Sequence, residues 1–127
     1  MIAVVGDSAF GFSCAELETM CRYDLPVVFI ILNNNGIYQG LPNHEGLTRE
    51  QIPVTSLLPT ARYELIAEAF GGRGWQVDNA QDLRQVLPEA MQCGKTCVVN
   101  VKISPMGQRK PQQFAWLSRD AGATSKL

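Results

Sequence analysis

The chain has 127 residues, of which 46% are hydrophobic and 18% are charged, and its formal net charge is -1. A chain of this length forms one domain and buries roughly two-thirds of its unfolded surface. The charge balance lacks the basic excess that binding of nucleic acid or an anionic membrane usually requires, so a bound phosphate must be neutralised locally. The longest apolar stretch, residues 25–32, contains Pro26 and is too short for a membrane span.

The first predicted elements are a strand, a loop and a helix. Residues 2–5 are apolar and predict a buried strand at the very start of the chain, which suggests that the natural chain or its relatives extend upstream. Residues 6–13 contain glycine, aspartate and serine and predict a loop. Residues 14–23 predict a helix, because apolar side chains recur at i, i+3 and i+4. These side chains are Leu17, Met20 and Cys21.

A second strand is predicted at residues 27–32, which are apolar without alternation, as in a central parallel strand covered on both faces. After the loop-like sequence Asn-Asn-Asn-Gly, residues 38–60 contain three prolines and little periodicity. A connection of that length inside a compact domain is usually functional, so we interpret it as a mobile loop over a site.

The alternation of strands and helices continues to residue 103. The remaining predicted elements are helices over 61–70 and 80–92 and strands over 75–77 and 97–103. This order predicts an α/β fold with a doubly wound parallel sheet, in which ligands bind at the carboxyl ends of the strands. We assign residues 1–104 to one binding domain and residues 105–127 to a polar tail.

The cysteines and the single histidine are poor material for a zinc site. The four cysteines lack Cys-x-x-Cys spacing, and His44 is the only histidine. We expect reduced, partly buried thiols in a reducing or peroxisomal compartment. The cysteines are Cys14, Cys21, Cys93 and Cys97.

Oxygen ligands follow the first two predicted strands. Asp7 lies in the first loop, and the amides of Asn33, Asn34 and Asn35 lie in the second. The 27 positions that separate Asp7 from Asn34 are about the length of a strand, a crossover helix and a second strand, so the two loops are predicted to meet at one sheet edge. A hard cation there would meet a carboxylate, an amide oxygen and a backbone carbonyl.

Magnesium prefers about six oxygens and often combines few protein ligands with phosphates and water. A diphosphate would complete that shell. The unpaired N–H groups at a helix N-terminus favour an anion, so Ser8 and Ala9 are candidates to donate to it. Taken alone, Gly-Asp-Ser fits a tight turn with a helix cap equally well. The combination with the asparagine loop is what indicates a site.

Residues 6–40, GDSAFGFSCAELETMCRYDLPVVFIILNNNGIYQG, resemble the thiamine-diphosphate motif of 2-hydroxyacyl-CoA lyases and the related oxalyl-CoA decarboxylases. The similarity continues through ARYELIAEAFGGRGW and, more loosely, QRKPQQFAWLSR. The resemblance implies that Asp7, Asn34 and the Gly36 carbonyl hold magnesium and that Ser8 and Ala9 contact the diphosphate. It also places Gly6, Ile37 and Tyr38 in the cofactor pocket.

The resemblance implies a carbon–carbon lyase that cleaves the C1–C2 bond of a 2-hydroxyacyl-CoA to formyl-CoA and a shortened aldehyde, in fatty acid α-oxidation. It further implies a homo-oligomer in which a glutamate from a pyrimidine-binding domain, on the same or a second subunit, activates the cofactor. Nothing in this chain supplies that domain. We therefore expect no catalytic residue here and an inactive fragment. The candidates Glu16, Glu18, Glu64 and Glu68 all lie on predicted helices, as solvated side chains.

The sequence departs from the family pattern at two places near the motif. Cys14-Ala15 stands where we expect Gly-Met, which could loosen packing beside the cofactor. Asn35 replaces the glycine that we associate with the decarboxylases, which favours the lyase. Neither change removes a predicted metal ligand.

The end of the chain carries a further motif. Ser125-Lys126-Leu127 is a peroxisomal address when it is C-terminal, and it implies the import receptor as a partner. By the family resemblance the tail acts near the CoA thioester, so Gln108, Arg109 and Lys110 are candidates to contact an acyl-CoA substrate. A solvated basic tail explains these three residues equally well.

The sequence allows three other interpretations. In a GDS-type hydrolase Ser8 would be the nucleophile, but His44 has no aspartate three residues before it, and Phe10 stands where a Gly-x-Ser-x-Gly motif needs glycine. We therefore disfavour a hydrolase. An oxalyl-CoA decarboxylase-like enzyme, or a truncated product that folds without activity, stays open.

Overall fold

The computed structural model describes residues 1–107, which are built around one four-stranded sheet. All paired strands are parallel, and their order across the sheet is β1-β2-β4-β3. The predicted doubly wound α/β fold is confirmed. The strands are β1 (Ile2–Gly6), β2 (Val28–Asn33), β3 (Arg73–Val77) and β4 (Cys97–Lys102). The substrate candidates Gln108, Arg109 and Lys110 and the peroxisomal tripeptide lie outside the described residues.

The strands differ in burial. The central strand β4 is buried along almost its whole length, as its run of valines predicts. The predicted burial of β1 is wrong, because Ile2 and Val4 are 48% and 61% exposed. Side chains alternate between the two faces along a strand, so Ile2 and Val4 lie on the same face of β1, and within residues 1–107 that face is left largely uncovered.

The helices follow the prediction at their centres but not at every end. One helix, α4, has the predicted bounds and begins after Asn79, whose side chain accepts the N–H groups of Gln81 and Asp82 at 2.9 Å. The helices α2 and α3 are shorter than predicted at both ends. They are α1 (Asp7–Gly11), α2 (Glu16–Arg22), α3 (Glu64–Ala69) and α4 (Ala80–Gln92).

The short helix α1 corrects the prediction of a loop over residues 6–13. It begins directly after β1, and its Phe10 is 2% exposed. The Phe10 ring packs edge-on against Phe29 and Tyr63, at centroid distances of 6.0 and 5.9 Å. One buried aromatic ring thus anchors a helix that is too short to show a hydrophobic period.

Helices cover both faces of the sheet. On one face, Leu17 of α2 and Ala67 of α3 pack with Ile31 and Val98 of the central strands. On the other face, Ala90 of α4 packs with a second set of strand residues. That set is Val28, Val77, Cys97, Val99 and Val101. Within residues 1–107 no helix is both long and apolar enough to cross a membrane.

The long connection after β2 is irregular except for a 3-10 turn over Arg49–Gln51. Its two ends meet near β2, where the N–H of Ile37 donates to the carbonyl of Thr55 at 2.9 Å. Its first and last parts and Met106 line a cavity of about 400 Å³. The mobility of this loop stays a prediction.

All four cysteines are free thiols. Cys97 is fully buried, and burial, with the neighbouring Cys93 thiol as a smaller cause, raises its pKa to about 12. This thiol is therefore protonated at neutral pH and behaves as a small apolar group in the core.

Candidate cofactor site

The two loops with oxygen ligands meet at the carboxyl ends of β1 and β2. Gly6, the last residue of β1, lies opposite Leu32 of β2 in the sheet. Asp7 begins α1, and its Oδ2 accepts the backbone N–H of Gly36 at 3.0 Å. The juxtaposition that the 27-residue spacing predicts is therefore present.

The Asp7 carboxylate is only 1% exposed and accepts two backbone hydrogen bonds. Its Oδ1 accepts the N–H of Ser8 at 2.9 Å, and its Oδ2 accepts that of Gly36. Burial raises the pKa of Asp7, while these backbone donors act in the opposite direction. Because the net shift disfavours the charged form, a cation bound at this carboxylate would relieve an unfavourable burial.

The turn after β2 holds an unusual backbone. Asn35 and Tyr38 have φ angles of 61° and 69°, in the left-handed region that non-glycine residues rarely adopt. Such strain collects at ligand sites when neighbouring contacts enforce it. Here the Asn34 Nδ2 donates to the Tyr38 carbonyl at 2.8 Å, and the Asn35 side chain bonds both the Leu41 carbonyl and the Lys102 ammonium.

A cavity of about 260 Å³ opens beside Asp7. Ser8 and Ile37 line it, as the resemblance implies, and Tyr38 lines the neighbouring larger cavity. The structure adds wall residues that the sequence analysis missed, namely Gly11, Phe12, Leu57 and Tyr63. Burial, and secondarily the charge of Asp7, raises the pKa of Tyr63, so its hydroxyl stays protonated.

The remaining predicted positions occupy different environments. Gly36 is buried, Asn34 and Ser8 are half-buried, and Ala9 is exposed on α1. The N–H of Ser8 already bonds Asp7, so the donor that Ser8 can offer a ligand is its hydroxyl.

The metal chemistry of this site rests on a single carboxylate. Within the described part of the chain, no group of three or more His, Cys, Asp or Glu side chains could hold a metal ion. The predicted set consists of one carboxylate, one amide oxygen and one backbone carbonyl. These hard oxygen donors suit magnesium when phosphate oxygens supply part of the shell.

The predicted exposure of Glu64 is wrong, whereas Glu16, Glu18 and Glu68 are exposed as predicted. Glu64 is 1% exposed, and its carboxylate accepts hydrogen bonds from Arg62 and Asn100. A sequence feature that could have pointed to this contact is Asn100 itself, a polar residue flanked by valines within the strand CVVNVK. A buried amide of that kind needs a partner.

Residues 1–101 match the family model of the thiamine pyrophosphate enzyme, C-terminal TPP binding domain. The chain belongs to this family. The match spans both loops of the site and all of the sheet except the last residue of β4, and it supports thiamine diphosphate as the cofactor of this TPP-binding domain. The predicted membership is thereby confirmed.

Relatives of this TPP-binding domain include a 2-hydroxyacyl-CoA lyase and an oxalyl-CoA decarboxylase. The chain is 43% identical over 127 aligned residues to 2-hydroxyacyl-CoA lyase 1 of Mus musculus. The alignment covers 94% of this chain and 22% of the mouse protein. It is 44% identical over 106 aligned residues to oxalyl-CoA decarboxylase of Escherichia coli K12. That alignment covers 83% of this chain and 18% of the decarboxylase. The chain thus spans about a fifth of these relatives.

A solved structure shares the fold of this TPP-binding domain. The thiamine diphosphate-dependent 4-hydroxybenzoylformate decarboxylase of Rhodococcus jostii RHA1 superimposes with a TM-score of 0.65 at 25% identity. The superposition covers 81% of this chain and 19% of that one.

Proposed function

We propose that this chain is the cofactor-binding part of a thiamine-diphosphate-dependent 2-hydroxyacyl-CoA lyase. The whole enzyme would cleave the C1–C2 bond of a 2-hydroxyacyl-CoA and release formyl-CoA and an aldehyde one carbon shorter. The observation that carries the proposal is the contact between Asp7 and Gly36, which joins the two halves of the motif in a chain 43% identical to a mouse lyase.

In this proposal magnesium is held by Asp7, by the amide oxygen of Asn34 and by the carbonyl of Gly36. The Asn34 Nδ2 is already engaged with the Tyr38 carbonyl, so the amide oxygen is the atom suited to a cation. The buried charge of Asp7 supports the same assignment, because a metal ion would offset its desolvation.

The diphosphate would lie against α1. The Ser8 hydroxyl and the N–H of Ala9 are its proposed donors, since the first N–H groups of a helix have no partner within the helix. Gly6, Ile37 and Tyr38 would form the adjoining wall of the cofactor pocket. When bound, thiamine diphosphate would supply a nucleophilic thiazolium carbon and an electron sink for cleavage of the substrate bond beside the carbonyl group.

The remaining parts of the enzyme would come from outside this chain. An activating glutamate would be donated by a pyrimidine-binding domain of the same or a second subunit in a homo-oligomer. Gln108, Arg109 and Lys110 would contact the acyl-CoA substrate. The chain alone is then expected to bind the cofactor without turning over substrate.

An oxalyl-CoA decarboxylase-like activity is the second candidate, because the identity to the Escherichia coli decarboxylase is equally high at 44%. The lyase is preferred because the similarity to the mouse lyase extends over 94% of this chain, compared with 83% for the decarboxylase.

The activity can be tested in a chimera in which this chain replaces the matching part of the mouse lyase. The chimera is expected to release formyl-CoA from a 2-hydroxyacyl-CoA and to leave oxalyl-CoA unchanged, while the chain alone does neither. A folded chimera that binds thiamine diphosphate but decarboxylates oxalyl-CoA would replace the lyase with the second candidate. Absence of both activities in that chimera would contradict the proposal.

We also propose a peroxisomal location, based on Ser125-Lys126-Leu127 and the import receptor that binds such C-terminal sequences. A fluorescent protein fused to the N-terminus of the chain should enter peroxisomes, and deletion of Leu127 should leave it in the cytosol. Peroxisomal entry without Leu127, or cytosolic retention of the intact fusion, would contradict this location.

A further inference from the structure

Three buried polar side chains form a continuous line through the core. They are Glu64 of α3, Asn100 of β4 and Asn33 of β2, and each is at most 1% exposed. The Asn100 Nδ2 donates to Glu64 Oε2 at 2.9 Å. The Asn33 Nδ2 donates in turn to Asn100 Oδ1 at 3.0 Å. We call these three residues the polar relay.

The polar relay ends on the backbone of the cofactor site. The Asn33 Oδ1 accepts the N–H of Asn35 at 3.1 Å. Asn35 has the left-handed φ of 61°, and the following N–H, that of Gly36, donates to Asp7. One chain of hydrogen bonds therefore connects Glu64 to the turn that carries Asn34 and Gly36.

The carboxylate of Glu64 sets the donor-to-acceptor direction of the hydrogen bonds in the polar relay. An ionised carboxylate only accepts hydrogen bonds, whereas an amide side chain offers a donor at one end and an acceptor at the other. Glu64 therefore requires the Nδ2 of Asn100 on its side, which turns the Asn100 oxygen towards Asn33. Asn33 must then present Nδ2 to Asn100 and its own oxygen to the N–H of Asn35.

The polar relay brings no evident gain in stability over an apolar core. Buried polar groups cost free energy unless they are paired, and well-packed apolar residues often stabilise as much or more. Within residues 1–107 every buried side-chain nitrogen and oxygen has a partner. The backbone of α3 also lies close to that of β3 at Gly74, where a Cβ would lie 2.3 Å from the Glu64 carbonyl oxygen. The burial of these polar groups is explained if the polar relay orients the turn over residues 34–36.

We propose that Glu64 is a positioning residue for the cofactor site. It orients Asn100 and Asn33, and they hold the turn over residues 34–36 in the form that binds magnesium and the diphosphate. This inference rests on the proposed cofactor site, and it concerns three residues that have no place in the magnesium and diphosphate contacts described above.

Glu64→Gln tests the direction of the relay with almost no change in shape. A glutamine has one oxygen and one amide nitrogen in place of the two oxygens that accept from Arg62 and Asn100. One of these hydrogen bonds is therefore lost, or the side-chain amides of Asn100 and Asn33 both reverse. Glu68→Gln is the matched control, because Glu68 lies on the same helix, is exposed, and loses the same charge.

The first readout is amide hydrogen exchange of the chain without cofactor. In Glu64→Gln the Asn35 amide should exchange about tenfold faster or more, while the β4 amides keep their protection, as in local opening. The second readout is the magnesium-dependent affinity for thiamine diphosphate, which should fall about 10–100-fold, as is typical when a group that supports a metal ligand is lost. Glu68→Gln should change neither.

Equal behaviour of Glu64→Gln and Glu68→Gln in the exchange measurement would overturn the inference. A faster Asn35 amide with unchanged cofactor affinity would overturn it too, since the turn would then not matter for binding. If Glu64→Gln loses protection throughout the sheet, Asn33→Ala decides by the same criteria, because it removes the bonds of Asn33 to Asn100 and to Asn35 and leaves the bond between Asn100 and Glu64 in place. If the unaltered chain binds no thiamine diphosphate, the proposed site fails, and the exchange result alone judges the relay.

Discussion

Asp7→Asn is expected to abolish the magnesium dependence of thiamine diphosphate binding. The substitution removes the only carboxylate of the proposed ligand set while keeping the shape of a fully buried side chain. The loss of affinity should exceed the roughly 10–100-fold that follows loss of a group that merely supports a metal ligand. Calorimetric titration with and without magnesium measures it.

The stability of Asp7→Asn should change little, so that lost binding reports on the site. The amide loses one of two backbone hydrogen bonds, which costs about 1–3 kcal/mol when it leaves a buried donor unpaired. Removal of the buried charge offsets part of that cost, because burial disfavours the charged form. Asp78→Asn, at an exposed carboxylate, is the control. Retained magnesium-dependent affinity in Asp7→Asn would refute the ligand assignment.

Gly40→Ala should damage the turn of the site without touching a predicted ligand. A Cβ at this position would lie 2.1 Å from the carbonyl oxygen of Asn35 and 2.4 Å from that of Asn34. Both atoms belong to the backbone and cannot rotate away. We expect a loss of stability of about 1–3 kcal/mol or more, as in overpacked cores, together with loss of cofactor affinity. Urea unfolding and calorimetry measure the two effects.

Gly46→Ala separates this steric effect from backbone strain. Gly46 lies in the same connection with a φ of 71°, but nothing lies within 4 Å of its Cβ position. A left-handed alanine costs about 1–2 kcal/mol, so stability should fall modestly while the cofactor affinity is unchanged. If Gly40→Ala binds thiamine diphosphate as Gly46→Ala does, the Asn34–Asn35 backbone is not part of the site.

The sheet could be predicted from the sequence because its central strands carry their own pattern. A run rich in β-branched residues without alternation predicts β2 to be a central strand, and the structure places it between β1 and β4, although Leu32 near its end is 41% exposed. The same reasoning failed for β1, since a short apolar run does not show whether another element packs on each face of the strand. Strand order depends on long-range pairing, which local periodicity does not report.

The error at Glu64 has a tertiary cause. A glutamate on an amphipathic helix usually faces solvent, and the local pattern contains nothing against that rule. Its partner Asn100 lies 36 positions away, and the close approach of α3 depends on the missing side chain of Gly74. Neither fact is visible within a window of one helix.

The candidate site was predictable where it depends on topology and not where it depends on packing. A crossover of fixed length brings Asp7 near residues 34–36 in any parallel arrangement. The cavity walls at Leu57 and Tyr63 come from the far end of a long irregular connection, whose path has no periodicity to read. The left-handed turn at Asn35 likewise depends on contacts with Leu41 and Lys102.

The central claim, a magnesium-dependent diphosphate site built by Asp7 and the turn after β2, is tested most directly by calorimetry. Thiamine diphosphate is titrated into the chain with magnesium and again with excess EDTA. We predict binding with magnesium and none with EDTA. Binding of equal strength in both titrations would contradict the claim. The claim would also be contradicted if thiamine diphosphate bound neither to the chain nor to a chimera that joins the chain to the rest of the mouse lyase.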